Sequence, residues 1–265
     1  MKVLVLGTSH VGAFLHAREA IAADFPALDV DYFGLSGEVF SRARTIDGVF
    51  GPEKEDDRQF EWNPARTVDI RPYDHILLTG TRFMWQAVMR LLAQYDVLEE
   101  PERRDNTVMS RAAMAAMIDG AAELSCAQLN DRMPLDARVT ALPAPYPLVR
   151  SWQLGYGHEP LVTAAAALSS AAAWTAHYEA AIARHLAPYG VRFMAQPMDT
   201  RHDALRSDNR FALAGSSAQE AGPRADNRHL NADYGRVAFT RYAEDILGLT
   251  RAAAQKDLDA AQGSQ

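Results

Sequence analysis

The sequence has little cysteine, no long apolar run and no long basic run, and each absence excludes a class of protein. Cys126 is the only cysteine among 265 residues, so an intrachain disulfide and a cysteine-based metal site are excluded. We expect Cys126 to be a small buried hydrophobic residue. Lysine and arginine number 27 against 34 acidic residues, and the net charge of −7 argues against binding to nucleic acid or an anionic membrane.

The apolar segments are too short or too polar to target the chain to a membrane. The run at residues 3–6 stops at Gly7, which is too early for a signal peptide, and residues 161–176 are mostly alanine with threonine and serine. We therefore predict a cytoplasmic protein whose partner is a small molecule. The length predicts one domain over residues 1–250, followed by a flexible tail at residues 251–265.

Strand and helix patterns alternate along the chain. Strands are predicted at residues 3–6, 29–33, 75–78, 139–142 and 191–196. Helices are predicted at residues 10–23, 84–95, 107–117, 161–176 and 234–247, with a helix cap at Gly190. Residues 45–71 and 199–225 are polar and show no period. This order predicts a three-layer α/β/α sandwich around a five-stranded parallel sheet, with ligands at the carboxyl ends of the strands.

Three residues at those strand ends have the chemistry of nucleophilic catalysis. Ser9 follows the first strand, in a turn where unpaired backbone N–H groups stabilise negative charge. Asp226 and His229 are three residues apart before the last helix, where a carboxylate can orient an imidazole. A serine hydroxyl needs such a base to act as a nucleophile, so the pattern predicts a Ser9, Asp226, His229 triad.

The block Gly7-Thr8-Ser9-His10 and the block Asp226-x-x-His229 resemble the two end blocks of the SGNH (GDSL-like) hydrolases. The resemblance spans nearly the whole chain and implies a flavodoxin-like sheet. It implies that Ser9 is the nucleophile and that Asp226 and His229 complete the triad. It further implies an oxyanion-hole glycine after the second strand, either Gly34 or Gly37, of which Gly37 is closer in spacing.

The family has a further sequence block, its third, and this chain differs from the family there. Arg82, in Gly80-Thr81-Arg82, stands where the family has an asparagine that completes the oxyanion hole. A guanidinium can bind an oxyanion or an anionic group of the substrate. We expect Thr81 and His10 to line the same pocket.

The resemblance implies serine-dependent ester hydrolysis or acyl transfer. We expect no cofactor, and we expect no metal site because the histidines are not spaced with carboxylates as a ligand set. A small polar ester or an esterified carbohydrate is the preferred substrate, because Trp62, Arg66, Arg206 and Arg210 can form a polar rim. Transfer of the acyl group to a sugar hydroxyl is the first alternative. The second is nucleotide binding, because Gly7-x-Ser9-x-x-Gly12 is one substitution from the dinucleotide fingerprint and Asp31 follows. The third is a ligand-binding protein of the same fold without catalysis.

Overall fold

Ten β-strands and eight α-helices form the part of the chain that the structure describes. This computed structural model describes residues 1–101, 104–133, 135–149, 159–213 and 229–252. The strands are β1 (Lys2–Gly7), β2 (Asp29–Gly34), β3 (Arg44–Ile46), β4 (Val49–Gly51), β5 (Val68–Asp69), β6 (His75–Thr81), β7 (Tyr95–Val97), β8 (Thr107–Met109), β9 (Val139–Pro143) and β10 (Arg192–Phe193). The helices are α1 (Val11–His16), α2 (Arg18–Asp24), α3 (Gly37–Arg42), α4 (Trp85–Gln94), α5 (Arg111–Arg132), α6 (Glu159–Ala166), α7 (Ala171–Leu186) and α8 (Ala232–Arg241).

Five strands form the central sheet, in the order β10-β9-β6-β1-β2, and every neighbouring pair is parallel. Successive side chains of a strand point to opposite faces. Leu4 and Leu6 of β1 therefore pack on one face, and Val3 and Val5 pack on the other. All four side chains are fully buried, which explains why this strand has a continuous apolar run. The predicted five-stranded parallel sheet is confirmed.

Helices cover both faces of this sheet. Val39 of α3, Ile118 of α5 and Ile182 of α7 pack on the face of Leu4 and Leu6, together with α4 and α6. Phe14 of α1 and Phe239 of α8 pack on the opposite face, together with α2. The fold is a three-layer α/β/α sandwich, as the sequence predicts.

Residues 45–71, which are predicted to form neither helix nor strand, contain three short strands. β3, β4 and β5 form an antiparallel sheet, although each has only two or three residues, too few for an alternating pattern to show. Phe50 of β4 is 1% exposed and lies against the rings of Phe33 and Phe40, at centroid distances of 6.3 and 5.7 Å. These contacts attach the small sheet to the core.

Several helix boundaries also differ from the prediction. The predicted helix at residues 10–23 is divided into α1 and α2 at Ala17. Residues 107–109 form β8, which pairs with β7, and α5 begins only after Ser110, whose Oγ accepts the N–H of Ala113 at 3.1 Å. The predicted residues 161–176 belong to two helices, α6 and α7. Gly190 adopts the left-handed conformation of a helix cap, with φ of 75°.

None of the helices in the described part of the chain is both long enough and apolar enough to cross a membrane. Cys126 is buried among the apolar side chains of α5 and α7. Burial raises the pKa of its thiol to about 12, so it is not a nucleophile near neutral pH.

Candidate active site

Ser9 lies in the turn between β1 and α1, at the carboxyl edge of the central sheet. The turn passes close to β6, because the N–H of Thr8 donates to the carbonyl of Thr79 at 3.2 Å. A Cβ atom at Gly7 would lie 1.9 Å from the same carbonyl oxygen, so position 7 requires glycine. The N–H of Ser9 has no hydrogen-bond partner among the described residues, which leaves it available to an oxygen atom of a ligand.

His229 lies just before α8, and its ring reaches Ser9. The distance from His229 Nε2 to Ser9 Oγ is 2.6 Å, so the contact predicted from the sequence is present. In the tautomer with a proton on Nδ1, Nε2 accepts the hydroxyl proton of the serine. This is the geometry in which an imidazole activates a serine hydroxyl.

Close packing of α8 against α1 sets the position of His229. Gly235 faces the backbone of α1, where an added Cβ would lie 2.2 Å from the carbonyl oxygen of Ala13. At the start of α8, Asn231 Oδ1 accepts the N–H of Tyr234 at 3.1 Å, and its Nδ2 donates to the carbonyl of Ala212 at 3.2 Å. The residues next to His229 are therefore fixed both to the helix and to the preceding loop.

Two further residues, His10 and Asp226, are predicted to lie near the ring of His229. His10 is buried, and its ring centroid lies 5.1 Å from that of His229 with a tilt of 46° between the planes. It forms part of the wall behind the reactive pair. Asp226 lies outside the described residues, so its role in orienting His229 stays a prediction.

Ser9 and His229 line a cavity of about 550 Å³, a volume typical of sites for small organic molecules. The predicted residues that line it are Ser9, His10, Gly37, Thr81, Arg82 and His229. The remaining lining residues, most of which the sequence did not predict, are Thr8, Glu38, Phe40, Ser41, Gly80, Phe83, Met84, Ser125 and Arg132.

The two candidate oxyanion-hole glycines are in different environments. Gly37 is the first residue of α3, lines the cavity, and has no hydrogen-bond partner for its N–H among the described residues. Gly34 lies against the ring of Trp62, and its N–H donates to Asn63 Oδ1 at 3.1 Å. Gly34 does not line the cavity and its N–H is bound to Asn63, so the geometry favours Gly37, and the place of Gly34 in an oxyanion hole stays a prediction.

The loop after β6 has a strained backbone beside the cavity. Phe83 and Met84 have positive φ angles of 43° and 57°, which cost free energy for residues with side chains. The hydroxyl of Tyr178 donates to the carbonyls of Arg82 and Phe83, at 2.9 and 3.2 Å. Tyr178 thus holds the loop that places Arg82 and Thr81 in the cavity wall.

Ser125 and Arg132 belong to α5, a helix that the sequence did not predict to contribute to the site. They are seven residues apart and therefore lie on one face of the helix. In the sequence, this spacing cannot be distinguished from an ordinary polar stripe. Tertiary packing brings these two side chains into the cavity that Ser9 lines, and Arg132 Nη1 donates there to the carbonyl of Phe40 in α3.

The nucleotide-binding alternative is not supported by the position of Asp31. This residue lies within β2, three residues before the strand ends at Gly34. Its carboxylate accepts the hydroxyl of Tyr73 at 2.7 Å and pairs with Lys2 at 3.4 Å. A ribose at the carboxyl edge of the sheet would need an acid at the strand end.

A second cavity of about 880 Å³ lies beside the first, and Glu38 lines both. Phe60 and Trp62 stack in its wall, with ring centroids 5.1 Å apart. The predicted arginines of the polar rim do not line either cavity. Each is bound to the protein: Arg66 to the carbonyls of Lys54 and Asp57, Arg206 to Asp203, and Arg210 to the carbonyl of Asp199.

In the ranges that the structure describes, no three His, Cys, Asp or Glu side chains come together to hold a metal ion. No protein-family model and no curated protein matches the sequence. Among solved structures, the chain is similar to an extracellular lipase from Streptomyces rimosus, with 13% identity and a TM-score of 0.37. That match covers 92% of this chain and 99% of the lipase.

Proposed function

We propose that this protein is a serine-dependent esterase of the SGNH hydrolase type, which forms an acyl-enzyme on Ser9. The observation that carries the proposal is the 2.6 Å contact between Ser9 Oγ and His229 Nε2 in the wall of a cavity. The sequence blocks around Ser9 and His229 support it independently. In the proposed triad, the carboxylate of Asp226 accepts a hydrogen bond from the Nδ1–H of His229 and orients its ring.

In the first half-reaction, His229 Nε2 accepts the hydroxyl proton while Ser9 Oγ attacks the carbonyl carbon of the ester. Negative charge develops on the carbonyl oxygen, and the N–H groups of Ser9 and Gly37 are the proposed donors to it. His229 then protonates the leaving alcohol, and the acyl group remains on Ser9. In the second half-reaction, His229 Nε2 removes a proton from water as the water oxygen attacks the acyl carbon. The bond between that carbon and Ser9 Oγ then breaks, His229 returns the proton to Ser9 Oγ, and the acid is released.

Arg82 is proposed to assist at the same oxygen. It lines the cavity at the position where the family has an asparagine. A guanidinium donates charge-assisted hydrogen bonds, which stabilise developing negative charge more strongly than a neutral amide does. Thr81 lies in the same wall, and its buried hydroxyl has no hydrogen-bond partner among the described residues.

The proposed substrate is an esterified carbohydrate or another small polar ester. The second cavity supports this proposal, because its stacked Phe60 and Trp62 lie among charged side chains, a combination that suits a sugar ring with its hydroxyls. The same cavity favours a second candidate function, O-acyltransfer, in which a sugar hydroxyl replaces water in the second half-reaction.

Ester turnover by two serine variants tests the proposal. Ser9→Ala should lower kcat at least about a thousandfold on 4-nitrophenyl acetate and on acetylated monosaccharides, because the nucleophile is lost. Its melting temperature should stay nearly unchanged. Ser41→Ala is the matched control: it removes another hydroxyl from the cavity, one that donates to the carbonyl of Glu38 at 2.6 Å.

Turnover that survives in Ser9→Ala would contradict the proposal. A melting temperature that rises with NAD or NADP, in a protein that hydrolyses no ester, would instead support the nucleotide-binding alternative.

A further inference from the structure

The cavity has the opposite charge balance from the whole protein. The chain has a net charge of −7, yet Arg82 and Arg132 line the cavity together with a single carboxylate, that of Glu38. The Glu38 side chain is 83% exposed and pairs with Arg42 at 3.0 Å. The described wall therefore carries more positive than negative charge.

Arg132 donates hydrogen bonds to backbone carbonyls, and not to a carboxylate, in the part of the chain that the structure describes. Its Nη1 donates to the carbonyl of Phe40 at 2.9 Å, and its Nε donates to the carbonyl of Gln128 at 3.0 Å. No carboxylate pairs with it in the described ranges of the chain. A guanidinium has five N–H groups, so three of them have no protein acceptor among those residues.

These two bonds hold the side chain of Arg132 in place before any ligand arrives. The acceptor of one of these bonds, the carbonyl of Gln128, lies one turn earlier in α5. The guanidinium also lies over the ring of Phe40, 5.8 Å from its centroid. An arginine that is already immobilised loses little further side-chain entropy when it binds a ligand.

The electrostatic environment of Arg132 also favours an anion. Burial, together with the nearby positive charge of Arg44, lowers the pKa of Arg132 from its usual range, although the group stays charged near neutral pH. A partly buried cation without a carboxylate partner is destabilised. A negatively charged group bound from the cavity side would remove that destabilisation.

We propose that Arg132 is the specificity-determining residue of this site and binds a carboxylate, sulfate or phosphate group of the substrate. The inference rests on the proposed esterase function and extends it, because it assigns the substrate class as acidic esters. For the carbohydrate esters proposed above, this means an acylated sugar acid rather than a neutral sugar. Ser125 provides a further hydroxyl on the same face of α5.

Two pairs of esters test this assignment. In the first pair the charge is on the alcohol: O-acetylated glucuronate is compared with its neutral methyl ester. In the second pair the charge is on the acyl group: the 4-nitrophenyl monoester of succinate is compared with 4-nitrophenyl butyrate. The protein should prefer the acidic member of one pair, and that pair locates the charge.

Arg132→Met should lower the acidic-to-neutral ratio of kcat/KM by about ten- to a hundredfold, mainly through KM, because a hydrogen bond to a charged group is lost. Arg132→Lys should restore part of the ratio, since it keeps the charge. Arg90→Met, at an exposed position of α4 away from the cavity, is the matched control and should leave the ratio unchanged. Equal ratios in the wild type and in folded Arg132→Met would overturn the inference.

Calorimetric titration with glucuronate separates this inference from the proposed function. The Kd of glucuronate should rise about ten- to a hundredfold in Arg132→Met, whether or not the protein hydrolyses esters. If no ester is turned over but this difference is found, the anion site stands and the esterase proposal fails. The anion site is refuted if esters are hydrolysed without an acidic preference in either pair. It is also refuted if glucuronate binding does not depend on Arg132 in a protein that prefers the glucuronate ester or that turns over no ester.

Discussion

Replacing Gly235 with alanine should separate α8 from α1 and thereby separate His229 from Ser9. The added Cβ would lie 2.2 Å from the carbonyl oxygen of Ala13, 2.5 Å from its carbonyl carbon and 2.8 Å from the nitrogen of Phe14. All three atoms belong to the backbone of α1, so no side chain can rotate away to make room. The helices themselves must move.

The size of this movement follows from the contact distances. Ordinary contacts of a Cβ begin near 3.4 Å, so a contact of 2.2 Å requires a separation of about 1.2 Å. If that shift reaches His229 in full, its distance to Ser9 Oγ grows from 2.6 Å to about 3.8 Å, beyond hydrogen-bond length. A displacement of about 1 Å can reduce catalysis a hundredfold, and overpacking costs about 1–3 kcal/mol of stability.

The assay is ester turnover together with urea unfolding. Gly235→Ala should lose about a hundredfold in kcat and about 1–3 kcal/mol in the free energy of unfolding. Gly120→Ala, in the exposed middle of α5, is the control: its added Cβ meets no atom within 4 Å and should stabilise the helix by up to about 1 kcal/mol. Wild-type turnover and stability in Gly235→Ala would refute the argument that this packing sets the site geometry.

Two further predictions concern Arg82 and the ion pair between α2 and α8. Arg82→Ala should lower kcat about ten- to a hundredfold with little change in KM, whereas Arg82→Asn should keep the turnover of neutral esters. If steady-state kinetics are unchanged in both variants, Arg82 does not bind the developing oxyanion. Hydrogen bonds from Arg236 at 2.7 and 2.9 Å lower the pKa of Asp24 below its ordinary value of 3.8. The pair therefore stabilises the fold above about pH 4 and loses this effect as the pH falls through the lowered pKa. Arg236→Met should cost about 1 kcal/mol at pH 7 in urea unfolding and less at pH 3, and an equal cost at both pH values would contradict this origin.

The central layers of the fold could be predicted because they depend on local sequence signals. Residues 3–6 are fully buried, and a strand covered on both faces needs an unbroken apolar run, which is visible in the sequence. The two- and three-residue strands β3, β4 and β5 give no such signal. They exist because they pair with each other and because Phe50 packs on Phe33 and Phe40.

Site residues could be predicted where they follow a strand or where they stand in a sequence block that resembles a family, as His229 does. Ser9 and Gly37 follow strands, so sheet topology alone brings them to one edge. Gly34 also follows that rule, but the contact with Asn63, 29 residues later, occupies its N–H. Arg132 lies in α5, more than 120 residues after Ser9, and its place in the cavity depends on tertiary packing that no sequence spacing encodes.

The most direct test of the central claim is covalent labelling with a fluorophosphonate probe, followed by tryptic digestion and mass spectrometry. Cleavage after Lys2 and Arg18 yields the fragment of residues 3–18, in which Ser9 is the only serine. We predict a single adduct on this fragment, which is lost in Ser9→Ala and strongly reduced in His229→Ala, because the base that activates the hydroxyl is then missing. An unlabelled fragment, or an adduct that persists in Ser9→Ala, would contradict the assignment of Ser9 as the nucleophile.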